Sequence, residues 1–134
     1  LRMVEQISRE RKRVFDRYTS ILSHYPWAIL PRESAPDGRQ TSYHIFPLRV
    51  KGISEAQRDR MIELISKRDV AVNVHFLPLP LLSYFASLGY DIKDYPKAYE
   101  NYAHEISLPI YPQLSDAMVD AVANAVVEAY SELS

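Results

Sequence analysis

The stretch Asp69–Tyr84, DVAVNVHFLPLPLLSY, decides how the rest of the chain is interpreted. Its first part, Val70–Val74, is a short β-branched run, which predicts a buried strand that delivers His75 to its end. Pro78 and Pro80 follow, and they exclude both a continued central strand and an immediate helix, because proline lacks the N–H that either would use. We therefore expect a strand followed by an exposed turn.

His75 lies where the strand meets a proline-stiffened loop, and two roles are open for it. The first is a ligand contact, since loops held by a rigid scaffold often carry binding groups and an imidazole titrates near neutral pH. The second is that of a satisfied, partly buried histidine at a strand edge. The local residues leave both roles open.

The composition of the 134-residue chain fits one folded domain over residues 1–134 and excludes several classes of protein. Hydrophobic residues make up 47%, which is enough for a core. A net charge of −1 argues against a duplex-binding surface, so no nucleic-acid partner is expected. Cysteine is absent, and neither a membrane-length apolar run nor a signal peptide is visible, so we expect a cytoplasmic protein without a membrane partner. Because the sequence starts at Leu1 directly in a helical pattern, we expect it to be part of a longer chain.

Amphipathic periodicity and capping residues predict five helices. They are expected over Leu1–Ser23, from the Ser54/Gln57 capping box to about Lys67, over Leu81–Leu88 before Gly89, from Asp94-Tyr95-Pro96 to about Ile106, and after the N-cap Ser115. The first helix also carries a basic patch, Arg9, Arg11, Lys12, Arg13 and Arg17. That patch is either a contact for an anion or nucleotide phosphate, or a solvated helix face.

Two further strands are predicted, at Trp27–Leu30 and at Ser42–Val50. Pro47 interrupts the second, which favours an edge strand or a bulge there. His44 and Arg49 are its polar members. With the strand before His75, these elements predict an α/β fold of the small α+β type, in which a long N-terminal helix and other helices cover a small, mostly antiparallel sheet.

Motifs that carry chemistry by themselves are lacking. The histidines at 24, 44, 75 and 104 do not have the i, i+4 spacing of a helical zinc pair, so no metal site is predicted. The glycines, at 38, 52 and 89, are too far apart for a phosphate-binding loop.

Four ordered segments resemble the C-terminal domain of the PLP-dependent nucleotide-sugar aminotransferases, the DegT/DnrJ/StrS family. Ser42–Val50 is similar to the family's aromatic strand, and Val74–Leu79 (VHFLPL) is similar to its "vHY-P-P-L" turn. Leu88-Gly89-Tyr90 with Asp94-Tyr95-Pro96 resembles its "GY…DFP" helix start. Ile106–Ser115 (ISLPIYPQLS) resembles its "LSLPLYPGLT" segment. Asp69, Leu77 and Pro80 depart from the family pattern, which leaves the substrate details open. The Leu1–Tyr18 helix, with Arg11-Lys12-Arg13, also resembles the family's entry helix, so the resemblance extends over nearly the whole chain.

The resemblance implies the C-terminal domain of a fold-type-I enzyme whose large N-terminal domain would carry the Schiff-base lysine. No catalytic, metal-binding or cofactor-binding residue is therefore expected in this chain, and PLP is expected in the full-length enzyme only. Substrate contacts are expected from His75, Phe76, His44 and Arg49, of which His75 matches the family's substrate-contact position. The implied partners are the large N-terminal domain, a second subunit in a homodimer, and a nucleotide-sugar substrate.

The function implied by the resemblance is transfer of an amino group to a keto sugar linked to a nucleotide, in amino-sugar and cell-surface polysaccharide biosynthesis. The isolated chain is expected to be inactive. Two alternatives remain at this point: a PLP-dependent sugar dehydratase of the same family, and a stand-alone, non-catalytic α/β binding or interaction module.

Overall fold

The computed structural model describes residues 1–133, which form five α-helices around a three-stranded antiparallel sheet. The elements are α1 (Arg2–Leu22), β1 (Ala28–Ile29), β2 (Phe46–Val50), α2 (Glu55–Ser66), α3 (Ser83–Ser87), α4 (Pro96–His104), β3 (Glu105–Leu108) and α5 (Asp116–Ser131), with 3-10 turns at Leu79–Leu81 and Ile92–Asp94. The strand order is β1-β2-β3. The prediction of a long first helix and a small antiparallel sheet covered by helices is confirmed.

The two faces of the sheet have different surroundings because side chains alternate along each strand. On β2, Phe46, Leu48 and Val50 are buried in the core. The Phe46 ring lies 5.1 Å from the Phe15 ring and 5.0 Å from the Tyr18 ring of α1. α5 packs against both α1 and α2 behind this core. The opposite face carries Pro47 and Arg49 of β2, which are partly buried and border the cleft described below.

The basic patch of α1 attaches that helix to its neighbours. Lys12 Nζ lies 2.8 Å from the Glu33 carboxylate, and Arg17 Nε lies 2.7 Å from that of Asp120 on α5. Arg13 pairs with Asp116, also on α5. These three side chains are 36–43% exposed, so they belong to a solvated helix face whose charges are paired with carboxylates of the same chain. A contact with a phosphate stays a prediction.

The strand predicted at Val70–Val74 is wrong. Its alternation is present, but only Asn73 pairs with β3, through two backbone hydrogen bonds to Ser107 of 3.2 and 2.7 Å. The next rung would need the backbone of Glu105, whose N–H closes the last turn of α4 and whose C=O accepts from Arg58 Nη1 at 3.1 Å. Pairing therefore stops after a single bridge.

Pro47 lies on the central strand β2, so the predicted edge strand or bulge is wrong. Its Cα partner is Ser107, whose own backbone groups bond to Asn73 on the far side of β3. Pro47 and Ser107 are therefore a non-hydrogen-bonded pair, and the nitrogen of Pro47 points towards β1. β1 pairs only with Arg49 and Val50, so no strand lies where the absent N–H would point.

Several boundaries differ from the prediction, while the local caps are confirmed. β2 begins at Phe46 rather than at residue 42, since Tyr43 has a φ of +52° that interrupts extended backbone. α4 ends at His104, so Ile106 belongs to β3 and faces the core. The capping box of Ser54 is present, and the Ser115 hydroxyl accepts the N–H of residue 118 at 3.2 Å. The predicted helix over 81–88 is divided into a 3-10 turn and the short α3.

Candidate functional site

A cleft of about 750 Å³ lies against the face of the sheet that carries Pro47 and Arg49. β1 and β2 form one wall, the loop that starts at His75 forms another, and α4 forms the third. Its polar lining residues are Arg32, Arg49, His75, Asn101, Tyr102 and Glu105. Two arginines and an imidazole make the cleft suited to an anionic or hydroxyl-rich ligand.

Arg49 reaches the cleft because it occupies an odd position of β2, opposite to the core residues. Its Nη1 donates to Asn101 Oδ1 at 2.6 Å, which orients the guanidinium against α4. Within residues 1–133 no carboxylate lies within ion-pair distance of Arg49. Arg49 therefore brings an uncompensated positive charge and spare N–H groups to the cleft.

His75 is held by its backbone, and its side chain lines the cleft. The His75 N–H donates to Glu105 Oε2 at 2.9 Å. The imidazole Nδ1 is buried and has no hydrogen-bond partner among the described residues. The edge of the ring contacts Phe76, whose own side chain is 73% exposed at the mouth of the cleft. An unpaired ring nitrogen of this kind can receive a hydrogen bond from a ligand or donate one to it.

The structure brings three of the four predicted substrate contacts into one cleft, namely Arg49, His75 and Phe76. His44 is not among them. It lines a separate depression of about 310 Å³, which it shares with Asn73, Ser107 and the other side of His75. A role for His44 in substrate binding stays a prediction, and the geometry places it away from the guanidinium of Arg49.

Glu105 is a cleft residue that the sequence reasoning missed. It is only 5% exposed, and its carboxylate accepts from the His75 N–H and, through a short hydrogen bond, from the Ser107 hydroxyl. Burial raises the pKa of the Glu105 carboxyl above its usual value, although those hydrogen bonds oppose the shift. The available signal was weak: Glu105 directly precedes Ile106 in a mixed stretch, 103–108, and a charged residue that becomes buried needs partners. Asn101 was also missed, and nothing in its sequence neighbourhood marks it.

Other kinds of site were sought in the described part of the chain. No lysine lines the cleft. Residues 1–133 contain no group of three or more histidine, aspartate or glutamate side chains that could hold a metal ion. None of the described helices combines the length and apolar character needed to span a bilayer.

Comparison with known proteins gives a consistent result. Residues 1–127 match the model of the DegT/DnrJ/EryC1/StrS aminotransferase family. The chain is 30% identical over 129 residues to the spore coat polysaccharide biosynthesis protein SpsC of Bacillus subtilis, covering 94% of this chain and 33% of SpsC. It is 38% identical over 93 residues to protein MJ1066 of Methanocaldococcus jannaschii, covering 68% of this chain and 24% of that protein.

Solved structures show the same fold. Spr1654 of Streptococcus pneumoniae, a proposed sugar aminotransferase, matches in its apo form with a TM-score of 0.92 and 32% identity, covering 97% of this chain and 32% of that one. The same protein has been solved in a PLP form and a PMP form. The chain thus spans about a third or less of the length of these relatives.

Proposed function

Because the chain belongs to the DegT/DnrJ/EryC1/StrS aminotransferase family, we propose that it forms one wall of the substrate site of a PLP-dependent sugar aminotransferase. The observation that carries the proposal is the cleft in which Arg49, His75 and Asn101 meet beside β2. The substrate we propose is a keto sugar linked to a nucleotide, used in making amino sugars for polysaccharides. The similarity to a spore coat polysaccharide biosynthesis protein supports a role in polysaccharide biosynthesis.

Arg49 and Arg32 would hold the anionic part of the substrate. The guanidinium of Arg49 uses one nitrogen for Asn101, and its other N–H groups remain for a pair of phosphate or hydroxyl oxygens. Arg32, from the segment after β1, supplies a second cation on the same wall. The imidazole of His75, which lines the cleft, would contact a sugar hydroxyl or a diphosphate oxygen, and the exposed side chain of Phe76 would limit the access of water.

The described residues do not fit a covalently held PLP. No lysine lines the cleft in the part of the chain that the structure describes, and Lys12 is ion-paired with Asp16 and Glu33. When bound, PLP would supply an electron sink for the amino transfer. We propose that the cofactor is held by the additional length that the relatives have, and that this chain contributes substrate contacts.

The exposed apolar surface supports further association. Most of the large apolar side chains between residues 76 and 99 are exposed, including Phe76, Leu79 and Tyr84. Contiguous exposed apolar surface usually marks contact with another domain or subunit. We propose that the rest of a longer chain and a second subunit of a homodimer cover it. A cytoplasmic location stays a prediction.

The proposal is tested on a full-length protein that contains this chain. That protein is incubated with PLP, glutamate as amino donor and a UDP-linked keto hexose, and the sugar nucleotide is examined by mass spectrometry. We expect an amino sugar with the full-length protein and none with the 134-residue chain alone. Loss of water from the sugar without gain of nitrogen would contradict transamination in favour of dehydration.

A further inference from the structure

The segment that leads to His75 is docked on β3 at two successive points, and only the first is an ordinary strand contact. Asn73 exchanges two backbone hydrogen bonds with Ser107. Two residues further on, an antiparallel ladder would pair the backbone of His75 with that of Glu105. The His75 N–H is bound instead by the side chain of Glu105, at 2.9 Å from Oε2.

The backbone groups of Glu105 bond to other elements. The Glu105 N–H donates to the Tyr102 carbonyl at the end of α4. The Glu105 C=O accepts from Arg58 Nη1 at 3.1 Å. In the described part of the chain, the side-chain carboxylate of Glu105 is the acceptor that the His75 N–H uses where the loop enters the cleft.

The carboxylate is itself fixed. The Ser107 hydroxyl donates to Oε1, and the His75 N–H occupies Oε2. The residue is 5% exposed, so neither oxygen is presented to a ligand. This arrangement suits a group that holds another residue in position, rather than one that touches substrate.

We propose that Glu105 is a positioning residue, whose side-chain carboxylate replaces a missing backbone acceptor and so sets where His75 enters the cleft. Its effect on catalysis rests on the proposed function, in which His75 contacts the substrate. Its effect on the geometry of the loop does not.

The test compares three variants of the full-length protein. Glu105→Leu keeps a similar volume and removes the acceptor of two donors, so its Tm is measured alongside to show that the variant folds. Glu105→Gln keeps a carbonyl that can accept the His75 N–H. Ser107→Ala is the matched control, because it alters the same buried cluster and leaves the bond to His75 in place.

The first measurement is amide hydrogen exchange with single-residue fragmentation in mass spectrometry. In Glu105→Leu we expect the His75 amide to exchange about ten-fold faster or more, as the loss of a bond to a charged acceptor implies. Glu105→Gln and Ser107→Ala should stay within about two-fold of the parent protein, and the Asn73 amide should stay protected in all variants. Unchanged exchange at His75 in Glu105→Leu would overturn the proposal.

The second measurement is KM for the UDP-linked keto hexose. Glu105→Leu should raise KM about as much as His75→Ala, while Glu105→Gln should restore it. In the His75→Ala background, Glu105→Leu should change KM by less than about two-fold, because residues that act through one another are not additive. A full additional effect there would contradict action through His75. Faster exchange with KM unchanged in both single variants would support the positioning and overturn the substrate contact of the proposed function.

Discussion

Removal of the Arg58 side chain should strongly destabilise the domain and loosen the wall of the cleft formed by α4. Arg58 is 1% exposed, and its Nη1 donates to the Tyr102 carbonyl at 2.6 Å and to the Glu105 carbonyl at 3.1 Å. Its guanidinium carbon also lies 4.8 Å from the centre of the Tyr102 ring. One side chain of α2 therefore binds the last carbonyls of α4 and the first carbonyl of β3.

The expected loss follows from those contacts. Arg58→Ala leaves two carbonyls without a charged donor, and each such bond contributes about 1.5–3 kcal/mol. The sum is about 3–6 kcal/mol, which overlaps the cost of about 3–5 kcal/mol for breaking a buried charged pair. Small domains have a free energy of unfolding of about 5–15 kcal/mol, so the variant would lose a large part of its stability.

Urea unfolding of the 134-residue chain measures this loss. Trp27, the only tryptophan, stacks on Tyr130 with ring centroids 4.3 Å apart and gives the fluorescence signal. The matched control is Arg60→Ala on the same helix, where the side chain is about half exposed and the change should stay within about 0.5 kcal/mol. If Arg58→Ala costs less than about 1 kcal/mol, the reasoning about its buried contacts is refuted.

Two further predictions concern pH. Burial raises the pKa of the Glu105 carboxyl, so the stability it contributes is complete at low pH and is lost as pH rises through that raised pKa. Glu105→Gln should therefore have a higher urea midpoint than the parent chain at about pH 8, and this difference should disappear at about pH 4. The opposite trend in the urea midpoints would contradict a raised pKa for Glu105. The Arg17 guanidinium lowers the pKa of Asp120, so their pair contributes stability above the usual aspartate pKa and loses it as pH falls through the lowered one. Asp120→Asn should lower Tm at about pH 7 and leave Tm unchanged at about pH 2. An equal fall in Tm at both pH values would show that the ion pair between Arg17 and Asp120 does not cause it.

Features that depend on nearby residues could be predicted from the sequence. The capping box at Ser54 and the N-cap at Ser115 are contacts across three residues, so the pattern contains both partners. The stripe of α1 likewise follows from its periodicity, and Val14, Tyr18 and Leu22 are buried along it.

The wrong predictions depend on contacts between residues that are far apart in the sequence. Val70–Val74 has strand composition, yet its pairing is limited by Glu105 and Arg58, which compete for the same backbone groups from other elements. β-propensity does not contain that information. Pro47 can lie on the central strand because β1 is too short to pair with it. The length of β1 could not be predicted from the sequence.

In the candidate site, too, the residues marked by local sequence could be predicted and those brought in by distant elements could not. His75 and Phe76 follow from the local pattern and the family resemblance, and Arg49 follows from its place on β2. His44 could have been separated from Arg49 beforehand, since residues five apart on an unbroken strand point to opposite faces. Glu105 and Asn101 required knowing where α4 ends and β3 begins.

The most direct test of the central claim, that this chain contributes substrate contacts to an aminotransferase, is His75→Ala in the full-length protein. Loss of a hydrogen bond to a charged or polar substrate group predicts a fall in kcat/KM of about ten- to a hundred-fold, mainly through KM. Tm and the absorbance of bound PLP should not change, because we propose that the cofactor is held by the rest of the longer protein. A lower Tm with kcat/KM intact per folded molecule would contradict the claim and show that His75 is a structural residue.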